Sequence, residues 1–326
     1  MKPTVFLDGL ERDIGAFRKQ IARSFEVFPI AHDFKKARAV FIKPNLTYPS
    51  YKSGVTTRKE FVEAIVAALR EINETTKIYI GEGEGGYNSF SMTEAMRSMG
   101  FHEIEQSYPN VEVINLSKLP RKTFELKVKG KGYPIDLPRI FFDDIDFSIT
   151  CPLPKVHCMT RITLAFKNQW GCLPDVMRLK NHYVFDEIIG QVCDVLKFRY
   201  AFLDGKFGLD DNGPMNGTPV EVNWFAASNS LGAFDMVVSG MMGVDWRTVS
   251  HLRRAKAHGF LPDRKDIEII GDPAYLKREF RLRREFWNYP ALAAFQSKNL
   301  THLFYFSRWA KLLHDVMYTF RERPIS

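Results

Sequence analysis

The sequence predicts an α/β protein: a doubly wound, mainly parallel sheet flanked by helices, with a helical appendage at the C-terminal end. Three observations carry this. Apolar runs of strand length alternate with amphipathic stretches of helix length, the pattern of βαβ units around a parallel sheet. Two such strand–loop–helix units follow each other directly from residue 38 onward. Nothing repeats at a solenoid period and nothing is low in complexity, which sets repeat arrays aside. The 326 residues, 45% of them hydrophobic, suffice for a packed core.

The elements follow in order. "RAVFIKPNL" (38–46) reads as the first strand and its exit. In "TRKEFVEAIVAALREI" the residues Phe61, Ile65, Ala68, Leu69 and Ile72 recur at helical spacing, with Thr57 and Glu60 as an expected capping box. "KIYIG" (77–81) is the next strand, followed by the loop "EGEGGYNSF" and a helix opening at Ser91 with Glu94 as its capping partner. "VEVINL" (111–116) reads as a strand, "FELKVKGKGYPIDLP" (124–138) as a hairpin or insertion, and "DIDFSITC" (144–151) as the return to the sheet. The stretch "LPKVHCMTRITLAFKNQWGC" (153–172) is expected to be helical from near His157. A helix over 184–196, strands "RYAFLDG" (199–205) and "EVNWFAAS" (221–228), and a buried helix in "GAFDMVVSGMMG" complete the main domain, expected over 1–272, with a basic, aromatic helical appendage over 273–326.

Formal net charge is +8, but from Tyr275 to Ser326 ten Lys/Arg face four Asp/Glu, so the tail carries +6 and the body is nearly neutral. No window reaches the roughly 18 apolar residues of a membrane span, and no secretory h-region opens the chain; a cytoplasmic protein is expected. Cys151, Cys158, Cys172 and Cys193 form no CxxC pair, which argues against a zinc ribbon, an iron–sulfur cluster or a disulfide framework.

Ligands of open parallel sheets bind at the carboxyl ends of the strands. The loops there hold most of the unusual polar residues: Lys43-Pro44-Asn45, Glu82 to Gly86, Pro152 to His157, and Asp204 through Asn212-Gly213-Pro214. Gly81, Gly83 and Gly86 have the spacing of a dinucleotide turn, yet Glu82 and Glu84 would put carboxylates where a pyrophosphate belongs, so a dinucleotide is not expected. Those two acids, with Asp204, suit a divalent metal or substrate orientation better. On a helix starting near His157, the residues His157, Arg161, Lys167 and Asn168 share an acid-free face, an anion cradle to which Lys155 and Lys43 add charge. His157 is the side chain there whose ordinary titration lies near neutrality, and Cys158 turns toward the core.

The order "KPN", "GVTTRKEFVEAIVAAL", "GEGEGG", "PKVHCMTRITLAFKNQWG", "DGKFGLDDNGPMNG" resembles the uncharacterised bacterial and archaeal family catalogued as domain of unknown function 362, over about residues 38–260. Lys43, Asn45, Lys155, His157, Lys167, Asn168, Asp204 and Gly213 stand at the matching positions. The resemblance implies a shared site. Many relatives carry an attached ferredoxin-like module with cysteine-ligated clusters, whose cysteines this chain lacks, so no iron–sulfur cluster is expected.

The leading expectation is therefore an enzyme acting on a small carboxylate or phosphate, with His157, Lys155 and Lys167 catalytic. Lys43, Asn45, Arg161, Asn168, Asn212 and Gly213 would bind substrate, and Glu82, Glu84 and Asp204 would hold a metal. The alternative is an accessory protein that carries a metal or anionic ligand and docks through its basic tail. The tail's apolar positions, Leu303, Phe306, Ala310, Leu313, Met317 and Phe320, recur at three- to four-residue spacing. They fit a helical pair packed on the main domain or a homo-oligomer or partner contact first, an anionic membrane surface second, and nucleic acid third.

Overall fold

The computed structural model describes residues 2–11, 14–85 and 90–319. Its strands are β1 (Thr4–Gly9), β2 (Ala39–Pro44), β3 (Lys77–Glu82), β4 (Val111–Asn115), β5 (Arg121–Val128), β6 (Lys131–Pro138), β7 (Phe147–Cys151), β8 (Lys155–His157), β9 (Arg161–Thr163), β10 (Phe198–Asp210), β11 (Thr218–Ser228) and β12 (Glu268–Ile270). The main sheet runs β12-β1-β11-β10-β7-β2-β3-β4, while β5 and β6 pair apart as the hairpin expected near 124–138. The five strands from β10 to β4 are mutually parallel, and β11 runs antiparallel to both its neighbours. The predicted fold class is the observed one: a mostly parallel sheet between helices, with further helices at the C-terminal end.

Side chains alternate along each strand between two apolar cores. Val40 and Ile42, Phe147 and Ile149, Tyr200 and Phe202 face one core, with the helices Ile14–Val27, Lys59–Arg70 and Met92–Ser98. Phe41, Ala201, Leu203 and Trp224 face the other, with Phe185–Val195, Leu231–Met241 and Ser250–Ala257. Covering both faces is what closes such a sheet against water.

The chain runs from β2 outward to β3 and β4, then returns to place β7 on the other side of β2. The strand order therefore reverses between β2 and β7, and the crevice opens beyond Pro44 and Cys151.

Two local expectations are corrected. The helix over 59–70 starts after Arg58, not Thr57, and has no side-chain cap; the Thr57 hydroxyl instead donates to the Cys151 carbonyl and accepts from the Asn45 amide, tying β2 to β7. Ser91 does cap its helix, accepting from the Glu94 amide. Residues 153–172 do not form one helix: they make the short hairpin β8–β9, a four-residue helix Ala165–Asn168, and a 3₁₀ turn to Cys172. The turn of that hairpin needs a left-handed residue, and Arg161 takes it at φ 71°.

Candidate active site

Lys43, the penultimate residue of β2, is fully buried and pairs with Glu82 at the end of β3. Glu82 also accepts from the amides of Leu46 and Gly83, at 3.2 and 3.1 Å. The pair is roofed by Gly171, where a Cβ would fall 2.1 Å from a Glu82 oxygen and 2.9 Å from the Lys43 nitrogen. A side chain there would have to push the Lys43–Glu82 pair aside. The Gly83 amide donates to the Gly171 carbonyl at 3.0 Å, so the strand-exit loop and the 3₁₀ turn are stitched together over this ion pair.

A polar chain runs from there across the switch point. Lys155 is fully buried and donates to Asn45 Oδ1 and the Val55 carbonyl, at 2.8 and 2.9 Å, and to Thr47 Oγ1 at 3.3 Å. Asn45 Nδ2 donates to Asn168 Oδ1 at 2.9 Å, and Asn168 Nδ2 to Thr150 Oγ1 at 2.9 Å. Sequence reasoning picked four members of this network, Lys43, Asn45, Lys155 and Asn168, and the structure brings them together. Their hydrogen bonds are made to one another, to backbone and to the side chains of Thr47, Thr150 and Glu82, so they hold the wall of the crevice.

The groups with unused capacity lie next to that wall. Lys167 is half-buried, its ammonium sits 5.2 Å over the Phe185 ring, and it has no hydrogen bond among the described residues. Burial, and then the nearby Arg178 guanidinium, pull it from an ordinary 10.5 to about 8. Burial and Lys167 likewise pull Lys155 to about 7. Around Phe185 stand Trp170, His251 and Phe295 at 5.0, 5.5 and 5.6 Å between ring centres, and His182 lies 4.8 Å from Phe295. The Trp170 indole nitrogen and both His251 ring nitrogens are buried without a hydrogen-bond partner. Such groups cost about 1–3 kcal/mol each unless a hydrogen-bond partner is supplied.

His157 is buried, and its Nδ1 accepts from the Met159 amide at 3.1 Å. Burial, then Lys167 and Lys155, lower it well below the ordinary histidine value, so it is a neutral ring with its proton on Nε2. A neutral imidazole in that tautomer donates through Nε2, while the lone pair of its Nδ1 is already occupied by backbone amides. Burial with the same lysine nearby also keeps His182 and His251 neutral, His251 at about 3.

Several expected site residues do other work. Arg161 is exposed at the hairpin turn and sits outside this group. Asp204 is held by Arg58, through its amide at 2.8 Å and its guanidinium at 2.9 and 2.6 Å. Glu84 accepts from Asn115 Nδ2 at 2.8 Å. With Glu82 bound to Lys43, the three acids expected to share a metal go to three separate partners. No cluster of three His, Cys, Asp or Glu that could hold a metal ion occurs among the described residues. Gly213 lies against β8, its carbonyl accepting from the Cys158 amide at 2.9 Å. Asn212 beside it is buried with both amide atoms unpartnered, the state expected of a ligand or water contact. Gly86, the last glycine of the dinucleotide-like spacing, lies outside the described residues. All four cysteines are buried and none is in a disulfide.

Sequence reasoning missed Arg178, His182, His251 and Asp235. Arg178 donates to the Glu84 carbonyl at 2.6 Å, fastening the "GEGEGG" loop. Asp235 is fully buried in the helix Leu231–Met241 and accepts from the amides of Ala165 and Phe166, at 2.7 and 3.1 Å. It thereby orients the short helix that presents Lys167. A lone acid in the apolar run "GAFDMVVSGMMG" was its one visible sign.

The model of the family described as domain of unknown function 362 matches residues 40–240, which include the strands and strand-exit loops of this crevice. The chain belongs to that family. A thylakoid-associated protein of Synechocystis sp. is 28% identical over 131 residues, which cover 38% of this chain and 41% of that protein. This chain therefore matches less than half the length of that relative. Among solved structures, the lactate racemase apoprotein of Thermoanaerobacterium thermosaccharolyticum has a TM-score of 0.47 at 11% identity, covering 70% of this chain and 55% of that one. A protein of Thermotoga maritima has a TM-score of 0.36 at 12% identity, covering 59% and 51%. At these scores the likeness carries no argument about substrate or reaction. No helix among the described residues is long and apolar enough to cross a membrane.

Proposed function

We propose that this member of the family is an enzyme that binds a small organic anion beside Lys167 and moves a proton to or from it. The observation that carries this reading is Lys167 itself: a half-buried amine, held at about 8, with no hydrogen-bond acceptor among the described residues. A partly desolvated cation without a counterion is disfavoured, and an anion bound there relieves the cost. A lysine of that pKa also exchanges protons readily near neutrality. The unpartnered indole of Trp170 and the unpartnered ring of His251, both packed on Phe185, supply donors on the same side. Such donors favour charge that develops on an oxygen when a proton leaves the carbon next to a carboxylate. Lys155, Asn45 and Asn168 position this wall, and His157 donates through Nε2. The described residues assemble no metal-ligand set, so no step is assigned to a metal.

The test is a thermal-shift and calorimetric screen of small carboxylates and phosphates on the full chain, followed by NMR of the best ligand in deuterated water. Stabilisation by at least one anion, together with exchange of its carbon-bound hydrogen, is the expected result. Lys167→Met should abolish the exchange and weaken binding at least about tenfold, since a positioned proton donor or acceptor contributes ~10²–10⁴. A wild-type protein stabilised by none of these anions, or a folded Lys167→Met protein that still exchanges at full rate, would refute the proposal.

A further inference from the structure

We propose that the C-terminal segment docks this protein on an anionic membrane surface. Seven of the nine large apolar side chains that stand exposed among the described residues fall within it: Tyr275, Phe286, Tyr289, Leu303, Phe306, Trp309 and Leu312. Phe286 is 74% and Leu312 55% exposed. These are not unpacked ends. The helices Asn288–Gln296 and Lys298–Tyr305 pack on the 3₁₀ segment Arg178–Val184 of the body, where Phe295 meets His182 and Phe185, and the helix Ala310–Thr319 packs on Lys298–Tyr305. Ala294, Thr301 and Ala310 are buried as well, and the Thr301 hydroxyl donates to the Ala294 carbonyl. The segment is thus anchored on the body and still leaves these apolar side chains exposed. An exposed set of this kind marks an interaction surface.

Charge selects the occupant. Lys298, Arg308 and Lys311 are exposed among these apolar groups, with Arg281 and Arg283 just before them, and the Arg308 guanidinium lies 4.9 Å over the Trp309 ring. From Tyr275 to Ser326 ten basic residues face four acidic ones. A second copy of this chain across a two-fold axis would set that positive surface against itself. Nucleic acid would use the charge and the rings, but Leu303 and Leu312 would gain nothing, because bases are bound by stacking and by phosphate contacts. An anionic bilayer uses all three classes. Leucine and phenylalanine enter the headgroup boundary, tryptophan and tyrosine sit at it, and lysine and arginine meet the phosphates.

The experiment is co-sedimentation of the full chain with phosphatidylcholine vesicles, with and without phosphatidylglycerol, at low and high salt. The protein should pellet with the phosphatidylglycerol vesicles and be released by salt. Arg308→Gln with Lys311→Gln should lower the partition coefficient at least about tenfold, in line with the contribution of two basic residues near an anionic surface. Trp309→Ala with Leu312→Ala should lower it as much, with the circular dichroism spectrum and the melting temperature unchanged. Failure to pellet with phosphatidylglycerol vesicles, equal binding to both vesicle types, or full binding by the folded Trp309→Ala, Leu312→Ala protein would overturn the proposal. So would a concentration-dependent dimer, or binding to a single-stranded oligonucleotide, that this same variant loses while vesicle binding persists.

Discussion

Lys43 and Glu82 form the buried pair on which the crevice is built, and neither has solvent to fall back on. Removing one partner leaves the other as an uncompensated buried charge. Lys43→Met should therefore destabilise the protein by about 3–5 kcal/mol, while Lys43→Met with Glu82→Leu should recover much of that loss. Chemical denaturation of the three proteins checks it; a single variant as stable as wild type would show that water reaches the pair. The two other lysines make the site pH-dependent. Lys155 stands at about 7 and Lys167 at about 8, both depressed chiefly by burial. Between those values and the ordinary 10.5, the unfolded chain holds protons that the folded chain has released. The contribution of these groups to stability thus rises with pH above about 7 to 8, and is lost as pH falls through that window. A bound anion works the other way, because it favours the charged amines. Its affinity should fall as pH rises from about 7 to 9, and calorimetric titration across that range measures the slope.

Single elements show why some of this was legible in the sequence and some was not. The strands at 39–44, 77–82, 111–115 and 147–151 and the helices at 59–70, 185–195 and 231–241 have strong periodicity and clear ends, and each is where the pattern predicts it. The hairpin β8–β9 misleads because Leu153, Val156, Met159 and Ile162 recur every three residues, a helical spacing. What decides its conformation is long-range: Lys155 pairs with Leu209 on β10, and Cys158 with the Gly213 carbonyl, neither of which the local pattern contains. The site was half legible for the same reason. Strand-exit residues such as Lys43, Asn45 and Lys155 follow from the fold class, whereas Arg178 and His182 reach the crevice from a 3₁₀ segment and His251 from the helix Ser250–Ala257, far from the strand exits in sequence. Asp235 holds the helix that carries Lys167, so Asp235→Ala leaves the Ala165 and Phe166 amides buried and unpaired. It should cost about 2–4 kcal/mol and weaken anion binding. If the melting temperature of Asp235→Ala matched wild type, water would have to be replacing the carboxylate.

At the scale of the whole molecule, the crevice belongs to the sheet while one side of its aromatic wall comes from the C-terminal segment. The strand order reverses between β2 and β7, which opens the space. Phe295, from the helix Asn288–Gln296, then lies against His182 and Phe185 and is itself buried. The ring over which the Lys167 ammonium lies, that of Phe185, is thereby shielded from water by a residue 110 positions later in the chain. If that shielding keeps Lys167 near 8, thinning it must raise the value toward 10.5, because desolvation is the larger cause of the depression. Phe295→Ala should therefore move the fall in anion affinity to higher pH than in wild type. The substitution also removes a buried ring and should cost about 3–5 kcal/mol, so Phe295→Leu, which keeps most of the apolar volume, serves as the gentler variant and should move the midpoint less. Calorimetric titration from pH 6 to 10 reads both midpoints directly. Folded Phe295→Ala and Phe295→Leu proteins whose midpoints coincide with wild type would show that the C-terminal segment packs on the site without governing it.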